Sequence, residues 1–118
     1  MSTVFVNLTS LTPGTAPSVT ERVSVKQGGK LTYHITWPPG PDTGSCQLIF
    51  KNDTQNPFTD KINGTTCFDF ERKNDSAPAL ETLDVRDDAN LGADQYNLVL
   101  IIDGETYVTD PMIVIKPT

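Results

Sequence analysis

The chain predicts an all-β fold: a single-domain antiparallel β-sandwich of seven to nine short strands spanning residues 1–118. Three observations carry this. Tyr96 to Ile102 and Glu105 to Thr109 are β-rich runs flanking Asp103-Gly104, a pair that readily takes the positive φ angles of a tight hairpin turn. Leu31, Tyr33, Ile35 and Trp37 alternate with Thr32, His34 and Thr36, a period of two with one apolar and one polar face. No stretch of helical length shows an i, i+3, i+4 apolar pattern, and the nearest, Ala77 to Leu83, is short.

The elements follow in order. Val4 to Leu8 forms a first strand, ended by Pro13-Gly14-Thr15-Ala16-Pro17. Val19, Glu21, Val23 and Val25 share one parity in a second strand that stops at Gln27-Gly28-Gly29. The Leu31 strand ends at Pro38-Pro39-Gly40-Pro41, since proline withholds a ladder donor. Cys46 to Lys51 is a short strand with Cys46, Leu48 and Phe50 on one side. A polar loop from Asn52 to Thr65 leads to Cys67–Phe70, and a second loop from Glu71 to Pro78 leads to a strand from Leu80 to Val85. Asp87 to Asp94 connects it to the Tyr96 strand. Asp110-Pro111 interrupts after the hairpin, and Met112 to Lys116 finishes the pattern.

Composition narrows the partners. Asp and Glu outnumber Lys and Arg 15 to 9, a net charge of −6, so nucleic-acid backbones and anionic membrane surfaces are poor partners. No apolar run approaches the ~20 residues of a membrane helix, so membrane insertion is not expected. No basic residue precedes an apolar stretch at Met1-Ser2-Thr3-Val4-Phe5. The chain is expected in the cytoplasm if Met1 is its native start, and secreted or surface-exposed if Met1 replaced a signal peptide. Asn7, Asn52, Asn63 and Asn74 head Asn-x-Ser/Thr triplets, which matter only in a eukaryotic secreted protein.

Cys46 and Cys67 are candidates for one disulfide closing a loop of about 20 residues, a bridge worth ~3 kcal/mol. Parity complicates it: Cys46 faces with Leu48 and Phe50, whereas Cys67 shares parity with Asp69, so bridging needs a bulge or a shifted register. Both redox states stay open.

Leu83-x-Val85, then Asp94-Gln95-Tyr96 leading into an apolar strand and a terminal hairpin, resembles the E–F–G region of immunoglobulin-like domains, where an acidic residue shortly precedes a corner tyrosine. The resemblance covers about the last 40 residues and implies a core position for Trp37 and a corner role for Tyr96. The chain departs from the pattern: Cys46 and Cys67 do not sit on the matching B and F strands, and Leu98 stands where a cysteine would follow Tyr96. The resemblance implies an architecture and no activity.

Several patterns bear on chemistry. Asp42-Thr43-Gly44 is the tripeptide of homodimeric retroviral-type aspartic proteases, but Gly40-Pro41 precedes it where that family has apolar strand residues, and only Leu91-Gly92 matches its second signature. The turn reading is preferred. Asp84, Asp87, Asp88, Asn90 and Asp94 gather oxygen donors of the kind Ca²⁺ takes; the run fails the EF-hand template, with Val99 at the last ligand position, and a solvated turn is the simpler reading. His34 is the only histidine, which leaves no triad or copper set. Tyr33, Trp37 and Tyr107 are candidate sugar platforms, though Tyr33 and Trp37 share the core parity.

The terminal hairpin is the sharpest functional pointer. A two-residue turn sets Ile102 opposite Glu105, Leu100 opposite Tyr107 and Val99 opposite Val108. Tyr96, Leu98, Leu100, Ile102 and Tyr107 share one face, and Val99, Ile101 and Val108 the other. A strand with one wet face should be polar there, so the second face is expected to be covered, by the same chain or by a partner. The expectation is a non-enzymatic binding or assembly module, in a surface, virion or multiprotein structure, with a protein partner or homo-oligomer on Val99, Ile101 and Val108 and no cofactor. A carbohydrate- or Ca²⁺-binding module is the alternative, and the homodimeric protease a remote one.

Overall fold

Alternation becomes burial along nearly every strand. A computed structural model describes residues 2–12, 15–51, 55–59, 66–71 and 77–118, with backbone alone at 66–68. Among the described residues there are eleven strands: β1 (Ser2–Asn7), β2 (Ser18–Val19), β3 (Arg22–Lys26), β4 (Lys30–Thr36), β5 (Thr43–Ile49), β6 (Thr66–Glu71), β7 (Ala79–Asp84), β8 (Gly92–Gln95), β9 (Asn97–Ile102), β10 (Glu105–Thr109) and β11 (Met112–Lys116). Three sheets result, in the orders β2-β1-β4-β7, β10-β9-β5-β6 and β3-β11-β8. The fold is all-β, as expected, in a layering compatible with a β-sandwich. Two pairings, β1 with β4 and β3 with β11, are parallel, and the rest are antiparallel.

The strand count exceeds the expected seven to nine because one long run is cut in two and part of the expected Asp87–Asp94 connector is a strand. The Val19–Val25 run breaks at Thr20-Glu21: Val19 pairs with Val6 in one sheet, while Val23 and Val25 pair with Ile113 and Ile115 in another. Its bend is held by Thr20, whose backbone N–H donates to the Phe5 carbonyl and whose Oγ1 accepts from the Phe5 N–H. The segment before Tyr96 is itself a strand, β8, antiparallel to β11. Asp110-Pro111 divides β10 from β11, and the Tyr96 N–H donates to the Pro111 carbonyl at 3.1 Å. Two of the three sheets thus meet where β8 runs into β9 and β10 into β11. That junction explains why Met112 to Ile115 is apolar on both parities: β11 is a central strand, with Ile113 and Ile115 buried and Met112 and Val114 half-buried.

One cluster of buried side chains draws on all three sheets: Val4, Leu31, Tyr33 and Ile35 from the first, Cys46, Leu48, Leu98, Leu100, Ile102 and Tyr107 from the second, Val23, Val25, Ile113 and Ile115 from the third. Each fully buried aliphatic side chain contributes on the order of 1.5–3 kcal/mol. Trp37, just past β4, lies against Phe70 with ring centroids 5.1 Å apart, and its Nε1–H donates to the Pro41 carbonyl. Phe70 in turn covers Gly44; a Cβ there would stand 2.7 Å from the ring, so the start of β5 has room only for glycine unless the ring shifts.

Tyr96 is buried, stacked on Phe50 at 5.0 Å, and its hydroxyl lies 2.7 Å from that of Tyr33. A corner tyrosine of the immunoglobulin type bonds its hydroxyl to nearby backbone upstream; here the hydroxyl reaches across to Tyr33 on β4. Part of the polar Asn52–Thr65 loop proves to be structural. Phe58 is 1% exposed, bridges Val85, and takes its N–H to the Asn56 side chain, while Arg86 holds the Asn56 carbonyl at 2.7 Å.

Tyr33→Phe and Tyr96→Phe are each expected to lower stability by about 1–2 kcal/mol, and the double substitution by clearly less than their sum, since both changes remove the same hydroxyl–hydroxyl bond; chemical denaturation of the four proteins checks this. Asp103 and Gly104 have φ of 53° and 77°, so Gly104→Ala is expected to cost about 1 kcal/mol through backbone strain alone, read by the same method.

Candidate interaction surface

The hairpin register is the one derived from the sequence: Glu105 opposite Ile102, Tyr107 opposite Leu100 and Val108 opposite Val99. Tyr96, Leu98, Leu100, Ile102 and Tyr107 all enter the core. Val99, Ile101 and Val108 are gathered on the outward face of β9 and β10. Val108 is 46% exposed, Ile101 is half-buried, and Val99 is buried yet outside the core cluster. Val99 stands between Val108 on one side and Gln47 on the other. The same face continues across β5 through Ser45, Gln47 and Ile49, with Ile49 36% exposed and opposite Asn97. Asp69, opposite Ser45, and Glu71, opposite Thr43, border this face on β6, while the residues named on β5, β9 and β10 carry no charge. Depletion of charge around apolar side chains is the compositional mark of an interface centre.

A second outward apolar row was missed in the sequence. Phe5, His34 and Leu80 are in register across β1, β4 and β7. Phe5 is 56% and Leu80 59% exposed, and the Phe5 ring sits 5.1 Å from the imidazole. Thr3, Thr32 and Thr82 form the neighbouring row, with the Thr32 and Thr82 hydroxyls 2.9 Å apart. The available signal was the polar parity of the Leu31 strand: once β1 and β7 flank it, their own outward residues must join the same face.

The other sequence candidates are dispersed. Asp84 forms an ion pair with Lys30 at 2.7 Å, and Asp88 lies 3.4 Å from Arg86. Asp94 is on β8 opposite Ile113, Asp87 stands beside Gly28, and Asn90 is exposed. Among the described residues no three His, Cys, Asp or Glu side chains come together as a metal-holding group. The acidic run is therefore spread over a strand end, a turn and a second strand. Asp42 is exposed just before β5, while Thr43 and Gly44 open the strand itself. Tyr33, Trp37 and Tyr107 are all buried and present no platform to solvent.

Cys46 is buried in the core. Its strand pairs Cys46 with Phe68 and then Gln47 with Thr66, so the register shifts at that point and Cys67 is the extra residue of a bulge. The bulge that a cross-strand bridge would require is thus present in the backbone; the Cys67 side chain lies outside the described residues. Of the Asn-x-Ser/Thr asparagines, Asn7 is exposed and accepts from the Thr36 hydroxyl at 3.1 Å, whereas Asn52, Asn63 and Asn74 lie outside the described residues.

Compared with known protein families and with curated proteins, the chain matches none.

Both Lys30 and Asp84 side chains are more than half exposed, so Asp84→Asn is expected to change stability by less than about 1 kcal/mol. Millimolar calcium chloride is expected to leave the melting temperature of the parent where sodium chloride of equal ionic strength leaves it; calorimetry checks both.

Proposed function

We propose that this protein is an immunoglobulin-like β-sandwich serving as a non-enzymatic binding or assembly module in a surface, virion or multiprotein structure. Its contacts run through the outward face of β9, β10 and β5, with Val99, Ile101 and Val108 at the centre. The observation that carries the reading is the in-register pair Val99–Val108, apolar on the side of the hairpin turned away from the core. Ile49 extends the apolar strip, and the uncharged Asn97, Gln47, Ser45 and Thr106 surround it. The immunoglobulin-like assignment is supported by Tyr96 at the entry to β9, the terminal hairpin, and the buried Trp37. The partner is a protein surface, either a second copy or another chain. A strip of apolar side chains bordered on one edge by carboxylates offers nothing to a polyanion and much to another sheet face.

Light scattering over a concentration series, with pull-down for a heterologous partner, tests this. Val108→Lys is expected to weaken self-association or partner capture by at least about tenfold, because a buried unpaired ammonium is costly at an interface centre. Because Val108 is half exposed, its melting temperature should stay within about 2 °C of the parent. Ile101→Lys should act in the same direction. Equal association by parent and both variants would overturn the proposal.

A further inference from the structure

At the far end of β3 lies an arrangement that the interaction surface does not use. β3 and β11 are parallel, and their register sets Lys26 directly opposite Lys116. Both side chains are exposed on one face. Like charges placed opposite one another on adjacent strands are destabilising, and here they occur in a chain with a marked shortage of cations. Lys30 joins them after the Gln27-Gly28-Gly29 turn. The three lysines, with Ser2, Ser24, Val25 and Gly29, line a shallow cavity of about 420 Å³ where β1 meets the edge strand β3. The seam itself is tied: the Ser2 hydroxyl donates to the Ser24 carbonyl.

The charge balance states what such a cavity takes. Asp84 holds Lys30 from outside the cavity. Asp87, the other carboxylate nearby, stands over Gly28 and does not line it. Three ammonium groups with one paired carboxylate leave two uncompensated positive charges. Lysine meets oxyanions as a point charge on a flexible stem, so several lysines converge on one anion without the fixed geometry a guanidinium needs. We infer that the Lys26–Lys30–Lys116 cavity is a binding site for a dianionic tetrahedral oxyanion, a phosphate either free or carried as a monoester. This goes beyond the proposed assembly face, which lies on a different sheet and does not depend on it.

The test is a titration of the intact chain with sodium phosphate, and separately with phosphoserine, each against sodium chloride at equal ionic strength. Amide NMR shifts and melting temperature are read together. Saturable shifts are expected at Lys26, Gly29, Lys30 and Lys116, with a melting rise of about 5 °C at tenfold excess over the dissociation constant. A response to inorganic phosphate identifies the free ion as sufficient; a response to phosphoserine alone identifies the ester. Lys26→Gln with Lys116→Gln should abolish the response. In phosphate-free buffer the same protein should melt no lower than the parent, because the like-charge pair is gone. A response equal to that of sodium chloride, or one that survives the double substitution, overturns the inference.

Discussion

The two layers of this molecule are held in register at Tyr96. Its backbone N–H reaches the Pro111 carbonyl, tying the junction of β8 and β9 to that of β10 and β11, and its hydroxyl meets Tyr33 on β4 in the opposite layer. Phe50 stacks on the same ring from β5's end. A single side chain thus joins the bend in one layer to the centre of the other. A hydrogen bond between these two buried hydroxyls constrains the distance between sheets as well as their lateral position. Pro111 contributes by what it lacks: with no N–H it cannot continue the β10 ladder, so the chain leaves one sheet and enters the next as β11.

From that tie the exposed surfaces follow. Once Leu98, Leu100 and Ile102 point inward, Asn97, Val99 and Ile101 must point outward, because the strand period is two. The outer face of β9 and β10 is then whatever the sequence wrote at those positions, and it wrote valine and isoleucine. The same logic on β4 brings Phe5 and Leu80 to either side of His34. Ser45 and Ile101 of the first face and Leu80 of the second also line one open cavity of about 1090 Å³. The lysine cavity differs in kind, being a shallow concave seam between β1 and β3 bordered by Lys26, Lys30 and Lys116.

Much of the architecture was legible in the chain. The Asp103-Gly104 turn, its register and the inward set Leu98, Leu100, Ile102 and Tyr107 follow from turn chemistry and alternation alone, because a two-residue hairpin leaves no freedom. The core parity of Leu31, Tyr33, Ile35 and Trp37 was equally plain. The break at Thr20-Glu21 was not, since a strand that changes sheets keeps its alternation and shows no local signal; nor was β8, because Gly92-Ala93-Asp94-Gln95 has no apolar alternation and reads as a connector. Phe58 was hidden because a lone aromatic in a polar loop becomes core only when Val85 and Arg86 arrive to hold it. The acidic run misled in the opposite sense: neighbours in sequence, Asp84, Asp88 and Asp94 answer to different partners in space. The exposed row at Phe5 and the facing lysines both arise from parallel pairings, which no hairpin rule anticipates.

The pairing of β3 with β11 has a consequence for how the chain is made. Val23 and Val25 take their partners Ile113 and Ile115 from about ninety residues further on. Until that last strand has been synthesised and released, β3 has an unsatisfied edge and two valines in search of cover, beside β1 and β4 that can already pair. Such long-range closure is slow compared with hairpin formation, and open edges are where growing chains stick to one another. The turn at Gln27-Gly28-Gly29 and the two flanking lysines therefore guard the nascent chain during a vulnerable interval: Lys26 on the waiting edge keeps it hydrated and repels a like neighbour until its own strand comes home.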